Sequence, residues 1–271
     1  FHNEIQRGLG VFFPLLILPI FMWENNFISV FDFLLLASTT LIGFWDDKKS
    51  LSQIFKVKLL LTFAFLIIFL DIYNNNQKLS ELCFELIFKV MYFIFLVLFF
   101  NQIDGINGLA SLTFISLVLL IIIMFKNLIF LLILGPIISY LFINLKGNIG
   151  IQGESGSFFM GTMIYILSKN SDIIYEKVLI LFFLTPIICD VTATTIIRFF
   201  YKENIFLGHR NNLYQKLVQK YKNPTIISLS FSILQIIIGL FFYFLYITSD
   251  IFYYWHFIFV FVIALIFLVI S

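Results

Sequence analysis

Long, uninterrupted apolar runs constrain this chain more than any other feature. They come in blocks of about 15 to 23 residues separated by short polar stretches, the pattern of helices that cross a hydrocarbon core roughly 30 Å thick. The chain is 61% hydrophobic and only 12% charged, well above the roughly 45–50% apolar content of a soluble domain. In lipid every backbone N–H and C=O must be satisfied within the spanning structure, so such runs read as helices. The blocks fall at 10–23, 28–45, 57–73, 84–100, 109–125, 128–145, 156–168, 176–199, 226–247 and 253–270. The expected fold is therefore all-α, a polytopic membrane helix bundle of about ten transmembrane helices, with 1–271 as one integral membrane domain. The block at 156–168 is short for a span, and the first carries Pro14 and Pro19, so kinked or re-entrant helices fit both.

Charge supplies the sidedness. Arg7, Lys48, Lys49, Lys56, Lys58, Lys146, Arg198, Lys202, Arg210, Lys216, Lys220 and Lys222 flank the blocks on one side. Only Lys78, Lys89, Lys126, Lys169 and Lys177 flank them on the other. The positive-inside rule makes the first side cytosolic. It carries the loops 1–10, 46–56, 101–108, 146–156 and 199–225, and no loop is long enough to hold a soluble domain. A net charge of +2, scattered over several loops, argues against a nucleic-acid partner. The two cysteines, Cys83 and Cys189, lack metal or redox spacing and read as packing residues. The polar opening, Phe1 to Gly10, has no initiator Met and no signal peptide, so an N-terminal segment is expected to precede it.

Four polar constellations sit at ends of these blocks. In Gly43-Phe44-Trp45-Asp46-Asp47-Lys48-Lys49 an apolar helix runs into two acids. A helix C-terminus disfavours them unless cations compensate, and Lys48 and Lys49 are at hand. A solvated helix end and a metal-diphosphate or proton-accepting site fit this segment about equally. In Asn101-Gln102-Ile103-Asp104-Gly105-Ile106-Asn107-Gly108, Asp104 and Asn107 are three apart and share a helical face. By itself that stretch is better read as a helix-to-helix turn. The glycine-spaced loop from Lys146 to Ser157 leads into a helix near Ser155; it reads as a phosphate-binding helix N-terminus or as a flexible loop with a serine cap.

The fourth constellation is one long helix with Pro186, Asp190 and Arg198, followed by Gly208-His209-Arg210-Asn211-Asn212-Leu213-Tyr214-Gln215. Asp190 lies about 14 Å from the cytosolic end at 1.5 Å per residue, where a carboxylate is either functional or a structural hydrogen-bonding group. His209 and Arg210 beside amides suit an anionic ligand, and a headgroup-binding basic loop is the plainer alternative.

Taken in order, the four resemble the polyprenyl-phosphate N-acetylhexosamine-1-phosphate transferases, the MraY/WecA superfamily, over essentially the whole chain. That family carries an Asp-Asp pair after a membrane helix, here Asp46-Asp47, and an Asn-x-x-Asp-Gly-x-Asp/Asn-Gly motif, here Asn101 to Gly108. Its Gly-Asp-x-Gly-Ser motif corresponds to Gly153 to Ser157, and its Pro-x-x-x-Asp helix to Pro186 to Asp190. His2 and Arg7 to Gly10 resemble the family's first cytosolic loop, which normally follows one further membrane helix. Two departures stand out. Glu154 replaces the Asp that serves as a Mg²⁺ ligand, and Asn212 replaces the second His of a His-Arg-Ser-His-x-Tyr-Gln loop found in O-antigen-initiating members.

The resemblance implies transfer of an N-acetylhexosamine 1-phosphate from a UDP-sugar to undecaprenyl phosphate, releasing UMP and initiating surface polysaccharide (lipopolysaccharide) synthesis at the bacterial inner membrane. It implies Mg²⁺, with Mn²⁺ as a substitute, held by Glu154 and Asp47. Asp46, Asp47 and Asp104 take the catalytic roles, while Asn101, Asn107, Asp190, Arg198, His209, Arg210 and Asn212 bind substrate. The bilayer is the other partner, and a homodimer is compatible. The alternatives are a peptidoglycan-precursor transferase, a lipid or sugar transporter, and a homologue inactivated at Glu154 and Asn212. A transporter is expected to place its polar groups near the bilayer midplane.

Overall fold

A computed structural model describes residues 6–23, 28–74, 79–145, 150–169, 174–204 and 210–248. Its helices are α1 (Phe12–Trp23), α2 (Val30–Lys48), α3 (Gln53–Asn74), α4 (Leu79–Ile103), α5 (Leu109–Phe125), α6 (Leu131–Leu145), α7 (Gly153–Ser168), α8 (Ile174–Phe183), α9 (Thr185–Phe200), α10 (Leu213–Tyr221) and α11 (Pro224–Thr248). The described chain is thus helical, apart from short turns and one two-residue parallel pairing of Gln6–Arg7 with Gly150–Ile151. Four helices are long and apolar enough to cross a membrane, or five if the bent pair α8 and α9 forms one span. Ten spans are therefore not established, and the last expected block, 253–270, lies outside the described residues. Exposed Phe63, Phe65, Leu66 and Leu70 along α3 fit a lipid solvent, since water would penalise such a face.

The expected single helix over 176–199 is two helices meeting at 74°. Pro186 gives the reason: it stands at the start of α9, where its missing N–H is harmless, whereas inside a continuous helix it would break the ladder and clash with the preceding turn.

Two compact units make up the chain. The first comprises Phe1–Asp104 and Leu132–Lys169, the second Gly105–Leu131 and Asn170–Ser271. At the centre of the first is α7, buried all round from Ser155 to Ser168, as a helix apolar on every face must be. Small residues let its neighbours approach. A Cβ on Gly161 would lie 2.6 Å from Val97 Cα on α4, and one on Gly43 of α2 would lie 2.6 Å from the Ser155 amide. Close backbone approach at glycine is the usual device where lipid removes the hydrophobic drive between helices. Thr39 and Thr162 hydroxyls meet at 3.0 Å and join α2 to α7 midway, while Phe13 packs edge-on against Tyr140 of α6.

In the second unit α5 and α11 run together. Ser116 and Ser232 hydroxyls lie 2.9 Å apart, and Gln235 Nε2 donates to the Thr113 carbonyl at 3.2 Å. Cys189 is buried there, as a packing residue should be; Cys83, on α4 of the first unit, is exposed.

Beyond the C-terminus of α7, Lys169 Nζ donates to Asp32 Oδ1 and Asp71 Oδ2, each at 2.7 Å. Both aspartates are buried, so the ammonium ties the start of α2 and the end of α3 to α7. Lys169→Met strands two buried carboxylates and is expected to cost on the order of 3 kcal/mol, read as a lower melting temperature in detergent. The triple variant Lys169→Met/Asp32→Asn/Asp71→Asn should recover most of that loss. A single variant that melts like the parent would show that the ion pairs do not hold these helix ends.

Candidate functional site

The acids expected to do chemistry gather in the first unit, around the N-terminus of α7. Asp46 and Asp47 end α2, and the close approach of Gly43 to the Glu154 and Ser155 backbone sets that end against α7. Asp47 then caps α7 from outside. Its Oδ1 accepts from the Glu154 amide at 2.8 Å, and its Oδ2 accepts from the Ser155 amide at 3.1 Å and the Ser155 hydroxyl at 2.8 Å. A helix N-terminus offers unpaired N–H groups and partial positive charge, and the carboxylate answers both. Gly153 is required for this geometry: its φ is +73°, and a Cβ there would collide with the Asp47 carboxylate. Asp47 thus supplies the cap, with the Ser155 hydroxyl among its donors, and α7 starts at Gly153, two residues before Ser155.

Asp46 faces another way. Its Oδ1 accepts from the Leu51 amide at 2.6 Å, and its Oδ2 pairs with Lys56 Nζ at 3.0 Å. Lys56 also pairs with Glu154 Oε2. The cation that compensates this helix end is therefore the buried Lys56 of α3. Of the two lysines expected in that role, Lys48 lies over the Phe44 ring, 4.6 Å from its centroid, and both Lys48 and Lys49 are exposed. Sequence reasoning used Lys56 only as a flanking charge. Lys56 lies in the first turn of α3, just ahead of its apolar run, where only the packing of α2 and α7 shows that it is buried and needs a partner.

Asp104 follows α4, close enough to Asp47 and Glu154 to feel their charges and hydrogen-bonded to Gln152. Asn101 Oδ1 accepts from the Ser157 hydroxyl at 3.2 Å, holding the end of α4 against the first turn of α7. Loss of water raises the Asp104 carboxyl well above the usual range; the Gln152 hydrogen bond opposes this and the charges of Asp47 and Glu154 reinforce it. Glu154 is pushed up to about 7, first by burial and then by its hydrogen bond with Asp46, against the opposing effect of Lys56. For Asp46 burial acts upward too. It is outweighed by hydrogen bonds from Glu154, Leu51 and Lys56 and by the Lys56 charge, so this carboxyl lies below its ordinary value.

No three of the described His, Cys, Asp and Glu residues converge as a ready-made metal cage. The donors nonetheless suit Mg²⁺, which commonly takes one or two carboxylates and fills its octahedron with water and substrate phosphate. Lys56 pairs with two of the four carboxyl groups, Asp46 and Glu154; Asp47 is met by the α7 amides and Asp104 lies close to Asp47 and Glu154, so acids outnumber cations here. Glu154 and Asp104 fit as holders, whereas metal ligation by Asp47 requires it to give up its hydrogen bonds to α7.

In the second unit Asp190 repeats the capping arrangement. Its carboxylate accepts from the Leu213 and Tyr214 amides at 2.7 and 3.1 Å and closes the N-terminus of α10. The two amides are its backbone partners and Thr194, one turn on in α9, is a side-chain partner, whereas Thr192 bonds back to the Ile188 carbonyl. Asn212 donates to the Tyr214 hydroxyl at 2.9 Å, and its amide N–H reaches Gln215 Oε1 at 3.3 Å. Gly105 lies where a Cβ would come within 2.8 Å of Gln215 Nε2. Asn107 accepts from the Ser228 hydroxyl through its carbonyl at 2.8 Å. Arg198 is turned toward its own chain, bonding Glu203 Oε2 at 2.8 Å and the Asn204 carbonyl at 2.7 Å. Arg210 is exposed, and His209 lies outside the described residues.

A pH dependence of stability follows from Glu154. Its carboxyl is raised in the folded protein, so its contribution is complete below the ordinary value of 4.5 and is lost as pH rises through about 7. Asp46 acts in the opposite sense, its contribution being lost as pH falls through the acid range. In EDTA the melting temperature should therefore fall between about pH 4.5 and about pH 7, and Glu154→Gln should flatten that slope. Parallel pH profiles for both proteins would show that Glu154 ionises without penalty.

No curated protein matches this chain significantly. The sequence profile of glycosyl transferase family 4 matches residues 10–171, a span that holds Asp46, Asp47, Lys56, Asp104 and Glu154, the whole of the acid cluster. The chain belongs to glycosyl transferase family 4.

Proposed function

We propose that this protein transfers an N-acetylhexosamine 1-phosphate from a UDP-sugar to undecaprenyl phosphate at the cytosolic face of a bacterial inner membrane, initiating O-antigen-like polysaccharide synthesis. The observation that carries the reading is the collection of Asp46, Asp47, Asp104 and Glu154 around one helix N-terminus, at the end of apolar helices. Phosphoryl transfer needs positioning and charge compensation more than covalent chemistry from the protein. A site at the membrane surface meets both a lipid phosphate and a water-soluble nucleotide sugar.

In the reaction an oxygen of the acceptor phosphate bonds to the sugar-bearing phosphorus of the donor, the bond from that phosphorus to the donor's bridging oxygen breaks, and UMP leaves keeping the bridging oxygen. A phosphate monoester loses its second proton near pH 6, so the acceptor is already largely dianionic at neutral pH and needs placing more than deprotonating. Asp47 contributes by holding the first turn of α7 and hence Glu154. Asp46 contributes through Lys56, and Asp104 with Glu154 faces the diphosphate. Bound Mg²⁺ supplies charge neutralisation on that diphosphate, and Glu154 and Asp104 are the residues proposed to hold it. The O-antigen assignment rests on the loop from His209 to Gln215, in which Asn212 and Gln215 order the start of α10.

The test is UMP release by detergent-solubilised protein supplied with undecaprenyl phosphate and a panel of UDP-N-acetylhexosamines, with and without Mg²⁺. Activity should require Mg²⁺. Glu154→Ala and Asp104→Asn should each lose on the order of a hundredfold or more, and Asp47→Asn, which acts through α7, about ten- to a hundredfold. Near-normal turnover in a variant removes that residue from the mechanism, and no product with any donor overturns the reading.

A further inference from the structure

Lys56 is the one cation paired with the acid cluster among the described residues, and it is fully enclosed, with 1% of its surface exposed. It reaches from the start of α3 to two acids on different helices, Asp46 of α2 at 3.0 Å and Glu154 of α7. A buried ammonium is tolerated only where opposite charge and hydrogen bonds replace its water, and these two carboxylates supply both. Asp47 is already committed to the α7 amides. Lys56 therefore holds Glu154 Oε2, an oxygen that a divalent cation at Glu154 would compete for. A monovalent ammonium and a divalent ion cannot both sit against the same carboxylate oxygen without strong repulsion at that range.

We propose that Lys56 is a resident counter-ion: it holds Glu154 and Asp46 in the resting protein and yields Glu154 when a divalent cation binds, so that metal loading is an exchange against a tethered ammonium. The inference rests on the metal-dependent transferase reading above. The exchange makes two demands. Without metal, the ammonium keeps like-charged groups on α2 and α7 together, so the empty protein stays assembled. With metal, the affinity measured is the intrinsic affinity reduced by the cost of moving Lys56 away, as for any ligand that must displace a competing state. Lys56 acts through Glu154 and is a positioning residue.

Lys56→Gln keeps hydrogen bonding on a side chain one bond shorter but loses the charge; Lys56→Met loses both hydrogen bonding and charge, and Lys56→Arg keeps the charge. Mn²⁺ binding to the purified proteins, followed by the loss of the free-ion electron paramagnetic resonance signal, reads the exchange without turnover. Lys56→Gln and Lys56→Met should bind Mn²⁺ at least about tenfold tighter than the parent, and Lys56→Arg should stay near it. Melting in EDTA should drop for the two neutral variants and be restored by Mn²⁺ more than in the parent. Should neither neutral variant survive purification in EDTA, recovery of folded protein on purification in Mn²⁺ is the expected result, and failure to recover it counts against the exchange. Equal or weaker Mn²⁺ affinity in the neutral variants overturns the role of Lys56 while leaving the metal-dependent reading intact. Absence of Mn²⁺ binding in every protein, the parent included, overturns both.

Discussion

Three donors on one carboxylate, the amides of Glu154 and Ser155 and the Ser155 hydroxyl on Asp47, organise the acid cluster. The first amides of a helix have no partner within it, and α7 is buried, so water cannot serve them fully. A carboxylate from α2 answers that demand. In doing so it fixes the register between the two helices and brings Asp46 and Glu154 to the same ammonium. The glycines follow from the same contact: Gly43 admits the α7 backbone and Gly153 makes room for the Asp47 carboxylate.

The second unit shows the same solution independently. Asp190 closes the N-terminus of α10 through two backbone amides, and the chain around Asn212 and Gln215 is ordered by bonds of its own. An acid at the end of an apolar run, as Asp47 is, or within one, as Asp190 is, suggests a reactive group, yet at both the first use of the charge is to cap the N-terminus of a neighbouring helix. Function and capping are compatible, since a carboxylate anchored to amides holds a neighbouring residue in place as firmly as it holds the helix.

Charge balance separates the two ends of α7. At the far end one lysine serves two aspartates. At the near end one lysine serves Asp46 and Glu154 while Asp47 and Asp104 stand close by, and burial keeps the carboxyls of Glu154 and Asp104 reluctant to ionise. Such an excess of carboxyl groups over cations, ready to ionise when positive charge arrives, fits the metal-dependent transfer proposed above. A purely structural cluster would gain by removing it.

Hydropathy alone determined that this chain is helical and apolar enough for membrane helices, because in lipid a backbone must pair with itself over each run. Motif order alone pointed to the family, and the match over residues 10–171 agrees. Tertiary structure decided the rest. The break at Leu184 between α8 and α9 was hidden because a hydropathy block carries no record of direction, although Pro186 marked the place. The partners of Asp47, Asp46 and Asp190 were hidden because they are backbone amides and a lysine brought near by packing. Lys56 was hidden most fully: in sequence it is one flanking charge among many, and only the approach of α2, α3 and α7 turns it into the ammonium that two acids share.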